Sequence, residues 1–273
     1  MIILEPKDFS LQQTLECGQV FRFKKIDENE YYLHAKEYVA HLKQKDNILE
    51  ITSNYEDKSF WTNYFDLNTD YAKIKKELSK NEKLLPAINY GYGIHILRQD
   101  FSEMLISFIM SQNKQIPQIK QCIELYCQKF GEKIIFEGKE FFTFPKIQAL
   151  PSIEEIKECK VGFRDKYILD ALEKEINGYF KNIDNLSEKE QEEKLLSVKG
   201  IGPKVTACIM LFGLSRTNRF PIDVWIQRKM QDLYFEGNTK DKETIQKKAE
   251  DLFENYKGYA QQYMFFAGIN NII

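Results

Sequence analysis

The sequence lacks any apolar run of the roughly 18 residues that a transmembrane helix requires. Its first residues, MIILEPKDFS, also lack the basic start and the apolar stretch of a secretory signal peptide. These two absences argue against a membrane protein and against export. We therefore expect a cytoplasmic protein with no membrane partner.

Cysteine and histidine are scarce, and neither forms a recognisable metal-binding pattern. The 273 residues include five cysteines, without a CxxC pair, and three histidines. An odd number of scattered cysteines argues against a disulfide framework and against a cysteine-rich zinc site. We interpret the histidines as ordinary surface or core residues and expect no bound metal. The residues concerned are Cys17, Cys122, Cys127, Cys159, Cys208, His34, His41 and His95.

A large excess of one charge is also absent from the chain as a whole. The net charge is −2, and 43% of the residues are hydrophobic, which is typical of a globular protein. The segment from Ser197 to Met230 is different, because it holds six basic residues and one acidic residue, a local charge of +5. Such a segregated surface is typical of proteins that bind a polyanion, and a solvated surface is the alternative. The charged residues are Lys199, Lys204, Arg216, Arg219, Arg228, Lys229 and Asp223.

The spacing of apolar residues changes near residue 60. The stretches YYLHAKEYVAHL and NILEITS before it alternate in part and are rich in β-branched and aromatic residues, which indicates strands. The stretch from Asp100 to Asn113 has the period of one helix face, and Asp100 with Glu103 resembles a capping box. Further helices are predicted at 167–179, at 203–213, after Asp223, at 242–256 and at 259–266.

These patterns predict an α+β fold in which sheet and helices are segregated. We expect a small N-terminal antiparallel β-sheet domain with flanking helices at residues 1–95. A mostly α-helical body of two parts follows at residues 96–273, with a helix-hairpin-helix motif and a cleft for the active site. The motif is placed at about residues 195–213.

The stretch SVKGIGPKV carries the turn of that motif. Gly200 and Gly202 permit a tight turn and a close approach of another group, and Pro203 suits the first turn of a helix. Free N–H groups at such a helix start favour a phosphate. A plain corner between two helices is the alternative interpretation.

Lys204 and Asp223 are the residues of this region that could carry chemistry. The helix dipole disfavours an ammonium group at a helix start by on the order of 0.3–1 kcal/mol, which favours the neutral, nucleophilic amine. Asp223 follows Pro221 and is placed to cap the next helix, where its carboxylate could stabilise a cationic transition state. A phosphate-facing lysine and a simple N-cap are the alternatives.

Taken in order along the chain, several short motifs resemble the 8-oxoguanine DNA glycosylase family of the helix-hairpin-helix glycosylase superfamily. Each motif is short, but their common order covers nearly the whole chain. The motifs are CGQVFRF (17–23), YFDL (64–67), LRQD (97–100), SFIMSQN (107–113), VGFRDKY (161–167), the turn at 197–205 and GYAQQYMFF (258–266).

This resemblance implies a bifunctional DNA repair enzyme, acting as a monomer on double-stranded DNA that contains oxidised guanine. By analogy Lys204 attacks the sugar carbon C1′ and displaces the base, and Asp223 stabilises the positive charge on the sugar. The Schiff base then allows β-elimination at the abasic site. The family carries out this chemistry without a cofactor, and we expect the bound enzyme to associate with the nucleoid.

The resemblance also assigns the residues that hold DNA. Gly18 would offer its carbonyl to the N7–H of 8-oxoguanine, Phe265 and Cys208 would enclose the flipped base, and Gln261 would read its Watson–Crick edge. The remaining assignments are contacts to the rest of the DNA. These residues are Asn113, Phe163, Arg164, Gly200, Gly202 and Trp225.

The sequence departs from the family pattern in three respects. Lys114 and Gln115 follow Asn113 where vertebrate members have further asparagines, and Trp225 stands where many members have histidine. Gln118 occupies the position of an arginine that reads the cytosine opposite the lesion. Losing that guanidinium predicts a weak preference for the opposite base.

Two other functions remain open at this point. A glycosylase of the same superfamily with another damaged-base preference would share the fold, although no cysteine follows Cys208 to hold the iron–sulfur cluster of some branches. A non-catalytic helix-hairpin-helix module would bind DNA without cleaving it.

Overall fold

A five-stranded antiparallel sheet begins the chain in the computed structural model, which describes residues 1–273. Its strands follow the spatial order β1–β5–β4–β3–β2. In the central strands Leu42 pairs with Tyr31 on one side and with Ile51 on the other. The strands are β1 (Ile2–Leu4), β2 (Phe23–Asp27), β3 (Glu30–Ala35), β4 (Tyr38–Lys45) and β5 (Ile48–Ser53).

Two short helices cover one face of this sheet. They are α1 (Leu11–Glu16) and α2 (Lys58–Tyr64). Leu15 of α1 and Trp61 of α2 are fully buried in one cluster with the inward residues of the strands, such as Leu33. Because alternate strand residues point to the same face, the partial alternation in the sequence produces this core.

The rest of the chain is helical apart from one hairpin, and most of its apolar side chains belong to one large core. None of the helices combines the length and the apolarity that a membrane crossing requires. The helices are α3 (Tyr71–Leu78), α4 (Leu85–Tyr90), α5 (Phe101–Ser111), α6 (Ile116–Phe130), α7 (Ile153–Glu158), α8 (Asp165–Ile176), α9 (Glu188–Leu196), α10 (Pro203–Gly213), α11 (Val224–Tyr234), α12 (Lys242–Phe253) and α13 (Lys257–Ile269). The hairpin strands are β6 (Lys133–Phe136) and β7 (Lys139–Phe142).

The predicted fold class is confirmed: a sheet-containing N-terminal part precedes a helical body. The predicted helix at 242–256 ends earlier as α12 and continues as a 3₁₀ turn, Glu254–Tyr256, and α13 is longer than predicted. The domain limit at residue 95 stays a prediction. The apolar residues of α3 and α4, such as Ile74 and Ile88, join the core of the helical body.

Helix α5 connects the two parts through a buried ion pair. Its predicted apolar face is buried, and the side chain of Asp100 caps the helix by accepting from the Glu103 N–H at 3.1 Å. The second bond of a capping box, in which the Glu103 side chain would accept from the Asp100 N–H, is not formed, so the predicted capping box was wrong. Glu103 instead lies 3.5 Å from Arg22, in the segment before β2, with both side chains buried. Burial raises the pKa of Glu103 to about 7, although the Arg22 charge opposes this.

Candidate active site

The turn between α9 and α10 uses its two glycines in different ways. Gly200 has φ +76°, and an added Cβ would lie 2.2 Å from the ring of Tyr167. Gly202 is the N-cap of α10 with extended backbone, and an added Cβ would contact nothing within 4 Å. No side chain caps α10, and Pro203 occupies its first turn. The turn therefore presents uncapped N–H groups beside open space, which suits an anion.

This difference predicts opposite effects for two alanine substitutions. Gly200→Ala should lower the free energy of unfolding by more than about 2 kcal/mol, because a Cβ at positive φ would overlap Tyr167. Gly202→Ala should leave the thermal unfolding temperature nearly unchanged and weaken duplex DNA binding. Thermal unfolding and binding titrations check both results. Normal DNA binding by Gly202→Ala would contradict a phosphate contact at this glycine.

A cavity of about 900 Å³ opens beside this turn. Its walls come from the loop after α1, the end of α5, the start of α6, the first turns of α10, α11 and α12, and helix α13. Nine of the twelve predicted site residues line it, whereas Phe163, Arg164 and Gly200 do not. The nine residues are Gly18, Asn113, Gly202, Lys204, Cys208, Asp223, Trp225, Gln261 and Phe265.

Lys204 lies in the first turn of α10 and is half-buried in the cavity wall. Its Nζ atom is 5.7 Å from the centre of the Phe108 ring. One helical turn further, burial raises the pKa of the Cys208 thiol, and the nearby Lys204 opposes that rise. The surroundings of the amine thus include an aromatic ring and a thiol.

Asp223 caps α11 and lines the same cavity as Lys204. Its Oδ1 atom accepts a hydrogen bond from the Ile226 N–H at 2.8 Å, as the sequence predicts for this N-cap. Asp223 is the only acidic residue that lines the cavity, where Lys114, Lys204 and Lys242 supply three positive charges. A carboxylate fixed by a helix start next to a lysine is arranged to stabilise developing positive charge.

Three of the predicted base-binding residues lie together: Gly18 is close to the ring of Phe265, and Gln261 and Phe265 share one face of α13. Gly18 has φ +83°, and an added Cβ would lie 2.9 Å from Cε1 of Phe265. Gln261 lies one turn before Phe265 on α13, and its buried Oε1 atom has no hydrogen-bond partner. A planar ring, a close glycine and an unpaired amide oxygen together suit a flat polar ligand.

The residues predicted to contact the rest of the DNA differ in exposure. Asn113 is exposed at the end of α5 with φ +49°, and the side chain of Phe163 is 55% exposed. Arg164 is buried beneath Phe163, with its guanidinium carbon 4.2 Å from the ring centre. The guanidinium donates to the carbonyl oxygens of Val161, at 2.9 Å, and Gln112. The structure thus places Arg164 behind the exposed surface, and its contact with DNA stays a prediction.

The basic segment is less uniform than its sequence indicates. Arg219 pairs with Glu188 and Glu192 of α9 at 2.9 Å each, and Arg216 donates to Gln191 at 3.0 Å. These two arginines pair with α9 within the hairpin, so only part of the predicted basic segment is free to face a polyanion. The acidic residues just upstream, in NLSEKEQEEK, were the available signal for this pairing.

Lys242 lines the cavity but was not predicted as a site residue. It is exposed in the first turn of α12, and the sequence marked only the start of this helix. Phe21 and Phe108, which contact each other edge to face with ring centres 5.7 Å apart, also line the cavity. Their position depends on the packing of distant segments, so no local pattern identifies them.

Comparison with known proteins finds two family models that match successive parts of the chain. Residues 1–105 match the family model of the 8-oxoguanine DNA glycosylase N-terminal domain, and residues 106–255 match that of HhH-GPD superfamily base excision DNA repair proteins. The solved 8-oxoguanine glycosylase/lyase of Clostridium acetobutylicum, in complex with DNA containing cytosine opposite 8-oxoguanine, is 35% identical. The two chains superpose with a TM-score of 0.92, over 100% of this chain and 99% of that one.

The chain belongs to the 8-oxoguanine DNA glycosylase family. The solved structure of MBOgg1 with a low-affinity DNA ligand is 39% identical, with a TM-score of 0.94, over 98% of this chain and 95% of that one. A probable N-glycosylase/DNA lyase of Methanothermobacter thermautotrophicus is 28% identical over 226 residues, 74% of this chain and 71% of that protein. This family member is a DNA glycosylase of the class that also has lyase activity at abasic sites.

Proposed function

We propose that this glycosylase flips 8-oxoguanine out of duplex DNA, removes it through a Schiff base on Lys204, and cleaves the abasic strand by β-elimination. The observation that carries the proposal is one cavity that brings together Lys204, Asp223, Gly18, Gln261 and Phe265. A base must leave the helical stack to reach such a site, and the family chemistry acts on extruded nucleotides.

The reaction begins with the neutral amine of Lys204. Its lone pair attacks C1′ while the bond from C1′ to N9 breaks. The base leaves with that electron pair and takes up the proton that the newly bonded amine loses. The sugar carries positive charge as the bond breaks, and the carboxylate of Asp223 stabilises it. Ring opening then gives an imine between Nζ and C1′, which acidifies the C2′ proton. Loss of that proton expels the 3′ phosphate.

Base selection would use the walls of the cavity. The Gly18 carbonyl would accept the N7–H that 8-oxoguanine has and guanine lacks, where guanine would place a lone pair against a buried acceptor. Phe265 and Cys208 would enclose the flat base, and Gln261 would use its amide on the Watson–Crick edge. The exposed Phe163 and Asn113 would occupy the space left in the duplex, in the way that inserted side chains do in other DNA-bending proteins.

Incision of a duplex with a single 8-oxoguanine tests the proposal directly. We expect base release and strand cleavage in the presence of EDTA, because no step above uses a metal ion. Release of an alkylated base but not of 8-oxoguanine would favour a superfamily glycosylase of different specificity. Binding without base release would favour the non-catalytic module.

The opposite base should matter little to this enzyme. Gln118 stands at the position of the cytosine-reading arginine, and its Oε1 atom accepts from the Gln115 N–H at 3.3 Å. Its side chain therefore helps to cap α6 and offers no charged fork to a base. Single-turnover rates opposite cytosine, adenine, guanine and thymine should agree within about tenfold. A preference for cytosine of several orders of magnitude would contradict this assignment of Gln118.

A further inference from the structure

The loop from Cys17 to Phe21, which we call the recognition loop, connects α1 to β2 at the cavity wall. Within this loop only Gly18 and Phe21 line the cavity. The recognition loop contains no regular secondary structure, so its conformation depends on side chains from other parts of the chain. Three glutamines supply most of these contacts.

Two of these glutamines hold the peptide carbonyls on either side of the one at Gly18. Gln262 Nε2, on α13, donates to the Cys17 carbonyl oxygen at 2.7 Å. Gln99 Nε2, before α5, donates to the Gln19 carbonyl oxygen at 2.8 Å. Both glutamine side chains are buried. The Gly18 carbonyl oxygen between them accepts no hydrogen bond from the chain.

The side chain of Gln19 fixes the same loop from a third direction. Its Nε2 atom donates to the carbonyl oxygens of Thr14, at 2.9 Å, and His95, at 2.7 Å. Its Oε1 atom accepts from the Leu97 N–H at 2.9 Å. Because the hydrogen-bonding groups of Gln19 are used inside the protein, Gln19 anchors the loop and is not available to a ligand.

These bonds restrict the direction of the Gly18 carbonyl. A peptide group is planar, so the backbone can change direction only through the two soft dihedrals of each residue. Fixing the peptide planes before and after the Gly18 carbonyl limits that carbonyl to a coupled rotation of the peptide between Gly18 and Gln19, although glycine alone would allow a much wider range. The only carbonyl of the three without a partner is thus held at the cavity wall.

We propose that Gln262 and Gln99 are positioning residues that determine specificity, because they hold the Gly18 carbonyl toward the flipped base. The ligand recognised is a base with an N–H donor on that edge, so this inference rests on the proposed function. Neither glutamine is expected to touch the reacting atoms. Their effect should therefore appear in discrimination between bases, and the chemistry of an already bound base should change little.

The test compares two duplexes that differ at one position, with 8-oxoguanine or guanine, in a Lys204→Gln background that prevents turnover. The Kd for the guanine duplex divided by the Kd for the 8-oxoguanine duplex measures discrimination. Adding Gln262→Met removes the donor at nearly constant side-chain length. We expect the ratio to fall about three- to tenfold, the range of one net hydrogen bond, through weaker binding of the 8-oxoguanine duplex alone. Gln99→Met should lower the ratio in the same way.

Gln44 of β4 provides a matched control, because its Nε2 atom donates to the carbonyl oxygens of Phe9, at 3.0 Å, and Asp46, at 3.1 Å, outside the cavity. Gln44→Met removes a donor of the same kind and should leave both Kd values unchanged. A ratio that stays within twofold in both Gln262→Met and Gln99→Met, or an equal loss on both duplexes, would overturn the inference. Equal binding of both duplexes by Lys204→Gln alone would instead overturn the proposed function.

Discussion

Lys204→Gln should bind a duplex with 8-oxoguanine and release no base at a measurable rate. The loss should be at least about a thousandfold in the single-turnover rate, because removing a covalent nucleophile removes the step itself. Glutamine has similar length and helix propensity, and Lys204 is only half-buried, so the unfolding temperature should change little. Quantifying base release from a labelled duplex, together with thermal unfolding, checks both expectations.

Two further lysine variants separate nucleophilic from electrostatic roles. Lys204→Arg keeps the positive charge but cannot supply a neutral amine, so it should be as inactive as Lys204→Gln. Lys247→Gln changes an exposed lysine of α12 that pairs with Glu243 at 3.0 Å, and it should excise normally. Substantial activity in Lys204→Arg would mean that Lys204 acts only as a charge near the DNA.

Asp223→Asn should slow base release by about 10²- to 10⁴-fold while leaving the protein as stable as before. Asparagine caps a helix as well as aspartate does, so the bond to the Ile226 N–H is expected to persist. What the variant loses is the negative charge beside the sugar, and fixed charges of this kind account for several orders of magnitude in rate. Single-turnover rates and unfolding temperatures measure the two effects separately.

Asp241 supplies the matched control for this substitution. It caps α12 in the same way, by accepting from the Thr244 N–H at 2.7 Å, but it does not line the cavity. Asp241→Asn should therefore leave base release within about twofold of the unmodified enzyme. If Asp223→Asn were equally harmless, Asp223 would be a helix cap and nothing more.

Local patterns in the sequence predict those elements whose structure depends on local chemistry. The period of apolar residues placed α5 and α10, and the residues Pro203 and Asp223 marked the starts of α10 and α11. The glycine turn and the cap bring their own residues into position with little help from the rest of the chain. For this reason the sequence alone suffices to propose Lys204 and Asp223 as candidate site residues.

Other features depend on contacts between distant segments. The sequence pattern does not predict the hairpin of β6 and β7, although a Glu137–Gly138 turn, with φ +49° and +71°, separates its strands. Its signal is short and lies within a long helical region. The bond from Arg164 to Gln112 joins residues 52 positions apart, and the bond from Gln262 to Cys17 joins residues 245 positions apart. No local pattern can encode such contacts.

The central claim is that the ε-amino group of Lys204 bonds to the sugar, and borohydride reduction during the reaction with 8-oxoguanine DNA tests it most directly. Mass mapping of the reduced complex should find the sugar adduct on Lys204 and no adduct in Lys204→Gln. The rival amines are those of Lys114 and Lys242, which line the same cavity. An adduct on either of them, or full trapping of Lys204→Gln, would contradict the account.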